Sequence, residues 1–193
     1  REGAILVPCD AVTGGNGGTA VLVSRDDGQT WTDPGEGRPA PKFAAGATGA
    51  WIAGIHAGVV QLADGRLLAL GRGDSIDGHM PMSLSDNLGE SWTYRASPFS
   101  PLGSGQRLAL LRLREGPILC CSFARQVRFR DATGKERIGS GLFAALSNDE
   151  GESWEIKRLV TDDGPPRELD GGGNTGRFTL SATSAEPRGY LSI

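Results

Sequence analysis

Along this chain, apolar residues come in short runs separated by glycine, aspartate, asparagine and proline, and several runs alternate apolar with polar positions. That period-two pattern predicts β-strands and almost no helix. The stretch HAGVVQLADGRLLALGRG, residues 56–73, shows the plan. Apolar β-formers flank an Asp-Gly dipeptide that readily supplies positive φ, so the segment predicts strand, tight turn, strand. MPMSLS (80–85) and WTYRAS (92–97) follow as two further strands. The same order is predicted from REGAILVPCD (1–10) with TAVLVSRDDGQTWTD (19–33), and from GQRLALLRLREGPILCCSFA (105–124) with GLFAALSNDEGESWEIKRLV (141–160).

Between the third and fourth predicted strands of each unit lies one polar frame: SRDDGQTW (24–31), SDNLGESW (85–92) and SNDEGESW (147–154). Its starts are 85 − 24 = 61 and 147 − 85 = 62 residues apart. A period longer than a hairpin and shorter than a domain marks a repeat architecture whose unit is one supersecondary element. The residue types suit a hairpin turn: Gly28, Gly89 and Gly151 can take positive φ, the Ser and Asp or Asn side chains can tie down turn amides, and the Trp can cap the space between sheets.

Four-stranded sheets repeating around an axis make a β-propeller. The predicted fold is therefore all-β, a propeller of four-stranded antiparallel blades over residues 1–45, 46–100 and 101–185, with the start of a further blade at 186–193. The 193 residues hold just over three such repeats. Three blades do not readily close a ring, so a piece of a longer propeller is expected, its remaining blades missing from this chain.

Composition narrows the partners. With 20 basic and 23 acidic residues mixed along the chain, the net charge of −3 offers no electrostatic footprint for nucleic acid. No apolar run reaches the ~20 residues needed to span a bilayer, and no membrane segment is predicted. Cys9, Cys120 and Cys121 have no metal-ligand spacing, and adjacent strand residues point to opposite faces, which argues against a disulfide framework. DSIDG (74–78) lacks the spaced acids and closing glutamate of a calcium loop. Neither metal nor cofactor is expected.

In an up-and-down blade, the start of strand one and the end of strand two share one end, and the hairpin between strands three and four lies at the other. The polar frames therefore face away from any pocket. Aligning Asp64-Gly65 with Glu115-Gly116 puts His56 level with Arg107, since 64 − 56 = 8 and 115 − 107 = 8. Both are predicted to begin innermost strands and look into the channel mouth. Arg72 ends a second strand, and DSIDGHM (74–80) hangs from it, which gathers Arg72, Asp74, Asp77 and His79 on the same rim.

The three frames resemble the Asp-boxes, or BNR repeats, of the sialidase (neuraminidase) superfamily. The resemblance implies a six-bladed propeller, an extracellular or periplasmic setting, and an exo-acting glycoside hydrolase working on terminal sugars of a sialoglycoconjugate or other glycan. A propeller that binds glycan without cleaving it, or serves only as structure, is the alternative. VVQLADGRLLALGR (59–72) is similar to the family's blade whose second strand ends in a carboxylate-binding arginine, which implies that role for Arg72. The final RGYLSI (188–193) resembles the glycine-tyrosine strand start that carries the family's nucleophile, which implies Tyr190. Sialic acid has an anomeric carboxylate, so an attacking Asp or Glu would meet like charge and a tyrosine would not. Arginines hold that carboxylate through paired hydrogen bonds. A loop aspartic acid protonates the leaving oxygen, with Asp77 the first choice and Asp74 the second. His56, Arg107 and His79 complete the candidate substrate contacts, with Tyr190 and Arg72 expected to reach the same channel mouth.

Two stretches are predicted as loops. RQVRFRDATGKER (125–137) reads as a basic, solvated hairpin loop, and DDGPPRELDGGGNTGR (162–177) as a long irregular one.

Overall fold

The computed structural model describes residues 3–10 and 17–192. Arg1, Glu2 and Ile193, at the outer ends of two predicted strands, lie outside the described residues. The chain divides into two compact units, Arg1–Pro101 and Leu102–Ile193. Among the described residues there are fifteen strands and no helix, so the all-β class expected from the alternation is observed.

In the first unit, β1 (Ile5–Cys9) and β2 (Ala20–Ser24) form an antiparallel hairpin. β3 (Thr48–Gly49) is a short edge strand, followed by the antiparallel meander β4 (Ile55–Gln61), β5 (Leu67–Arg72), β6 (Pro81–Ser85) and β7 (Trp92–Ala96). The sheet order is β3-β7-β6-β5-β4, so the four predicted strands are joined by a fifth on the outer edge of β7. The first repeat is shorter than predicted. Past its polar frame only Thr32 pairs back, through two backbone bonds to Val23 at 2.9 Å. Pro34, Pro39 and Pro41 follow, and residues without an N–H cannot continue a ladder.

The core of this unit takes one face of the strands, including Val21 and Val23 from β2, Leu67 and Ala69 from β5, and Trp92 and Tyr94 from β7. Alternation places Leu68, Leu70 and Arg72 on the other face of β5. Tyr94 donates its hydroxyl to the Trp51 carbonyl at 2.7 Å and meets Phe43 edge-on. Burial pushes its phenol well above the ordinary range, which marks it as a packing residue.

The second unit contains β8 (Gln106–Arg107), β9 (Ala109–Arg112), β10 (Ile118–Arg130), β11 (Glu136–Ser147), β12 (Glu155–Leu159), β13 (Arg167–Asp170), β14 (Arg177–Leu180) and β15 (Gly189–Tyr190). β12-β11-β10-β9 is a four-stranded antiparallel sheet, β13 pairs with β14, and β15 pairs in parallel with β8. Two of the predicted loops differ. The basic stretch 125–137 is mostly strand, because Val127 and Phe129 turn inward while Arg128 and Arg130 face solvent. Only residues 131–135 turn, capped by Asp131, which accepts the Thr133 N–H at 2.9 Å. The stretch 162–177 likewise contains β13 and the start of β14, paired from Arg167 with Leu180 to Asp170 with Arg177.

The three polar frames form one turn three times. The hydroxyls of Ser24, Ser85 and Ser147 accept the N–H of the frame glycine at 2.8, 2.9 and 2.8 Å. They donate to Asp26, Asn87 and Asp149 at 2.8, 3.0 and 2.9 Å. Those side chains accept the N–H of Thr30, Ser91 and Ser153 at 2.9, 3.0 and 2.8 Å. The fourth and fifth frame residues take positive φ in every copy, for example 58° at Leu88 and 88° at Gly89, which supplies the left-handed corner that glycine tolerates best. The Thr30 hydroxyl, then the Thr30 amide and Ser24, hold Asp26 down to about 2, and Ser153 lowers Asp149 in the same manner.

The tryptophans differ between copies. Trp31 and Trp154 donate their indole N–H to the carbonyls of Gly28 and Gly151, both at 3.1 Å. Trp92 is 1% exposed, and its Nε1 has no hydrogen-bond partner among the described residues.

Candidate functional site

At the end of the first unit's sheet opposite the frame turn, several non-consecutive segments meet. Asp10 follows β1, Thr19 precedes β2, His56 opens β4, and Arg72 and Asp74 close β5. His56 sits in a β-bulge: pairing holds at Ile55 with Arg72 and resumes at Gly58 with Leu70. Its φ is 52°, a left-handed conformation uncommon for a side chain of this size. Bulges re-aim side chains at sheet ends.

Asp10 holds that conformation from two sides. Its Oδ1 accepts the His56 backbone N–H at 2.7 Å, and its Oδ2 pairs with the imidazole Nδ1. The buried Thr19 hydroxyl stands 3.2 Å from Asp10 Oδ1 and 2.8 Å from the Gly54 carbonyl. Thr19 is itself locked by backbone bonds to and from Ile52 at 3.0 and 2.9 Å. The imidazole is therefore carried on a framework with little freedom to swing.

Asp74 is unusual in a different way. Its Oδ2 is buried and has no hydrogen-bond partner among the described residues. It lies against Gly17, where a Cβ would come within 2.7 Å of that oxygen and where φ is 74°, a conformation that glycine tolerates best. Desolvation raises the Asp74 pKa, because a carboxylate oxygen removed from water favours its protonated form. Asp77, by contrast, occupies the exposed tip of a two-residue turn. Ile76 and His79 exchange backbone bonds at 3.0 and 2.9 Å, and Asp77 and Gly78 take φ of 51° and 79° between them. An Asp-Gly pair is what such a turn requires, so Asp77 has a conformational reason to be there. His79 is exposed on the same turn.

In the second unit, Tyr190 is registered with Arg107 in the parallel pair of β15 and β8. Registered neighbours in a parallel pair project from the same face, so the tyrosine and arginine stand side by side. Tyr190 is 55% exposed. A Cβ on Gly189 would lie 3.3 Å from Glu186 Oε1, which puts Glu186 against the face opposite the Tyr190 side chain. Glu186 also accepts from the Thr175 hydroxyl at 3.3 Å.

The structure thus brings His56, Arg72, Asp74, Asp77 and His79 to one end of the first unit's sheet, and Arg107 and Tyr190 to one strand pair of the second. Asp10 and Thr19 were not singled out from the sequence. One signal was available: Asp10 directly follows a predicted second strand, the same kind of position that singled out Arg72 and Asp74.

An apolar cavity of about 570 Å³ lies elsewhere, between the β1–β2 hairpin and β4–β5, with Leu6, Val21, Val59 and Leu67 in its wall. Among the described residues no titratable side chain lines it. Among the described residues no group of three or more His, Cys, Asp or Glu is arranged to hold a metal ion. None of them forms a helix long and apolar enough to cross a membrane.

Known proteins add little. No protein-family model matches the sequence, and no curated protein matches it. Among solved structures, a protein of unknown function from Dyadobacter fermentans is similar, at 19% identity and a TM-score of 0.49, over 86% of this chain and 43% of that one. The chain therefore spans less than half the length of that protein.

Proposed function

We propose that this chain is part of an Asp-box β-propeller of the sialidase type and that it acts as an exo-glycosidase on terminal sugars. The observation that carries this reading is Asp74, whose half-dry carboxyl lies two residues beyond Arg72, the last residue of β5. A raised carboxyl is what protonation of a leaving glycosidic oxygen needs, and an arginine at that strand end suits an anionic sugar. The recurrence of one frame turn three times at a 61- to 62-residue period supports the propeller, as does the parallel pairing of two strand starts, β8 and β15.

Each residue then has a chemical task. Asp74, rather than the turn residue Asp77, gives its proton to the leaving oxygen. Arg72 takes the substrate carboxylate through two parallel N–H bonds. The second unit, taken by itself, offers Tyr190 beside Arg107 as the candidate nucleophile.

The test is hydrolysis of an aryl sialoside, a natural sialyl-oligosaccharide and neutral aryl glycosides. Asp74→Asn should lower turnover about a hundredfold or more on the natural substrate and less on the aryl one, whose leaving group needs little protonation. Arg72→Lys should chiefly raise KM. Tyr190→Phe should remove most turnover. Equal losses on both sialosides for Asp74→Asn would remove it as the acid. A wild type that cleaves nothing yet binds sialosides on a glycan array would make the propeller a lectin.

A further inference from the structure

The Asp10–His56 pair is not used by the reaction proposed above, and its construction is too specific for a surface contact. Three features converge on it: a β-bulge that displaces His56 from the ladder, a left-handed backbone at a non-glycine residue, and a carboxylate that accepts from the backbone N–H and lies against the imidazole Nδ1 of the same histidine. Asp10 lies 46 positions before His56, so this is a tertiary arrangement and not a local turn. Strained backbone of this kind persists where the surroundings over-determine it, and it clusters at binding and catalytic sites. Here the surroundings are Asp10 and the buried Thr19, which also stands 3.4 Å from the Ala57 N–H just beyond the histidine.

We infer that Asp10 is a positioning residue: by accepting a hydrogen bond from His56 Nδ1–H it fixes the neutral imidazole in the Nδ1–H tautomer, so that Nε2 serves as a hydrogen-bond acceptor for a ligand hydroxyl at this rim. Free neutral imidazoles divide between two tautomers, and the bond made by one nitrogen decides the character of the other. A carboxylate can only accept at Nδ1. The left-handed bulge holds the ring's origin, and Asp10 holds its rotation and proton. Assigning that hydroxyl to a sugar rests on the glycosidase reading. His56 is then a specificity-determining contact, accepting from one hydroxyl and rejecting analogues in which it is absent or replaced by an acceptor.

The experiment is a long-range proton–nitrogen correlation spectrum of the ¹⁵N-histidine-labelled protein at a pH where imidazole is neutral. The chain has two histidines, His56 and His79, so His79→Gln assigns the signals. Wild type should show His56 protonated at Nδ1. Asp10→Asn presents an amide NH₂ in place of one carboxylate oxygen, and should move the proton to Nε2. A wild type protonated at Nε2 overturns the inference whether or not the variant folds, and so does an Asp10→Asn protein that keeps the Nδ1–H form. In parallel, Asp10→Asn and His56→Phe should each weaken kcat/KM or binding of a sialoside about tenfold or more, a loss expected when a hydrogen bond to the ligand is removed. If sialosides are turned over and Asp10→Asn switches the tautomer without changing either parameter, His56 accepts nothing from the substrate and the inference falls. If wild type neither cleaves nor binds sialosides, the glycosidase reading fails, while the tautomer still decides whether Asp10 positions His56.

Discussion

At one end of the first unit's five-stranded sheet, the amides of Gly89 and Ser91 find their partners, Ser85 and Asn87, four residues away. At the opposite end the partners are distant: Asp10 reaches 46 residues to His56, and Thr19 reaches 35 to Gly54. Both ends hold a non-glycine residue in the left-handed region, Leu88 at 58° and His56 at 52°. At the turn that conformation closes a hairpin and recurs in all three repeats. At the strand ends it aims an imidazole and occurs in one. The repeated turns satisfy their own amides locally, whereas the opposite end carries side chains at some cost, such as the unpartnered oxygen of Asp74.

The comparison can be broken most forcefully through the tryptophans. Trp92→Ala removes a fully buried ring and should cost roughly 3 to 5 kcal/mol in urea unfolding. Trp31→Ala, in the matching frame position but 42% exposed, should cost less than about 1 kcal/mol. Equal losses would mean that the copies are energetically alike despite their different burial.

Next in size is the serine of the turn. Ser85 is 2% exposed and serves the Gly89 amide, so Ser85→Ala should destabilise by about 1 to 3 kcal/mol, the usual cost of orphaning a buried donor. On the glycosidase proposal, activity on a sialoside should also be unchanged at temperatures where the variant is folded, since the turn lies at the far end of the sheet from Asp74. Loss of activity with full folding would place function at the wrong end.

At the opposite end the sign reverses. The Asp74 carboxyl is raised above its ordinary 3.8 in the folded chain, so the folded state holds that proton more tightly than the unfolded one. Its contribution is present at acid pH and is lost as pH rises from about 3.8 through the folded value. Asp74→Asn should therefore gain stability relative to wild type across that window and stay level above it, as read from melts at a series of pH values. A variant that loses stability at neutral pH would show that Asp74 has a favourable partner there.

The smallest effect separates the frames from one another. Asp26 is depressed to about 2 and Asp149 is depressed in the same direction, while the equivalent Asn87 cannot titrate. On acidification the Thr30 amide resonance should move with a midpoint near 2, Ser153 should move below the ordinary carboxyl range, and Ser91 should stay still. A Thr30 midpoint at the ordinary 3.8 would mean that the turn does not favour its carboxylate.

Much of this was legible beforehand, and the limit lies in contact range. Period-two alternation marked the meander β4 to β7, and the frame residues marked its turn, because strands and tight turns are decided by neighbours a few positions away. The same alternation was present in Val127-Arg128-Phe129-Arg130, but the dense charge read as loop. Its strand character depends on what Val127 and Phe129 pack against. Likewise, Arg167 to Leu180 carried too much glycine and charge to announce a hairpin.

For the site, strand-end arithmetic picked out His56, Arg72 and Asp74 as a group, since each position follows from counting along its own hairpin. What the sequence by itself determined is therefore the β-repeat, its turns and the residues at its strand ends. Only the tertiary structure decided that Asp10 grips His56, that Gly17 shields one oxygen of Asp74, that Asp77 is spent on a turn, and that Trp92 alone of the frame tryptophans is core. Each of these depends on segments tens of residues apart sharing space, and no local pattern encodes which distant backbone will withhold water from a carboxyl or offer it a proton.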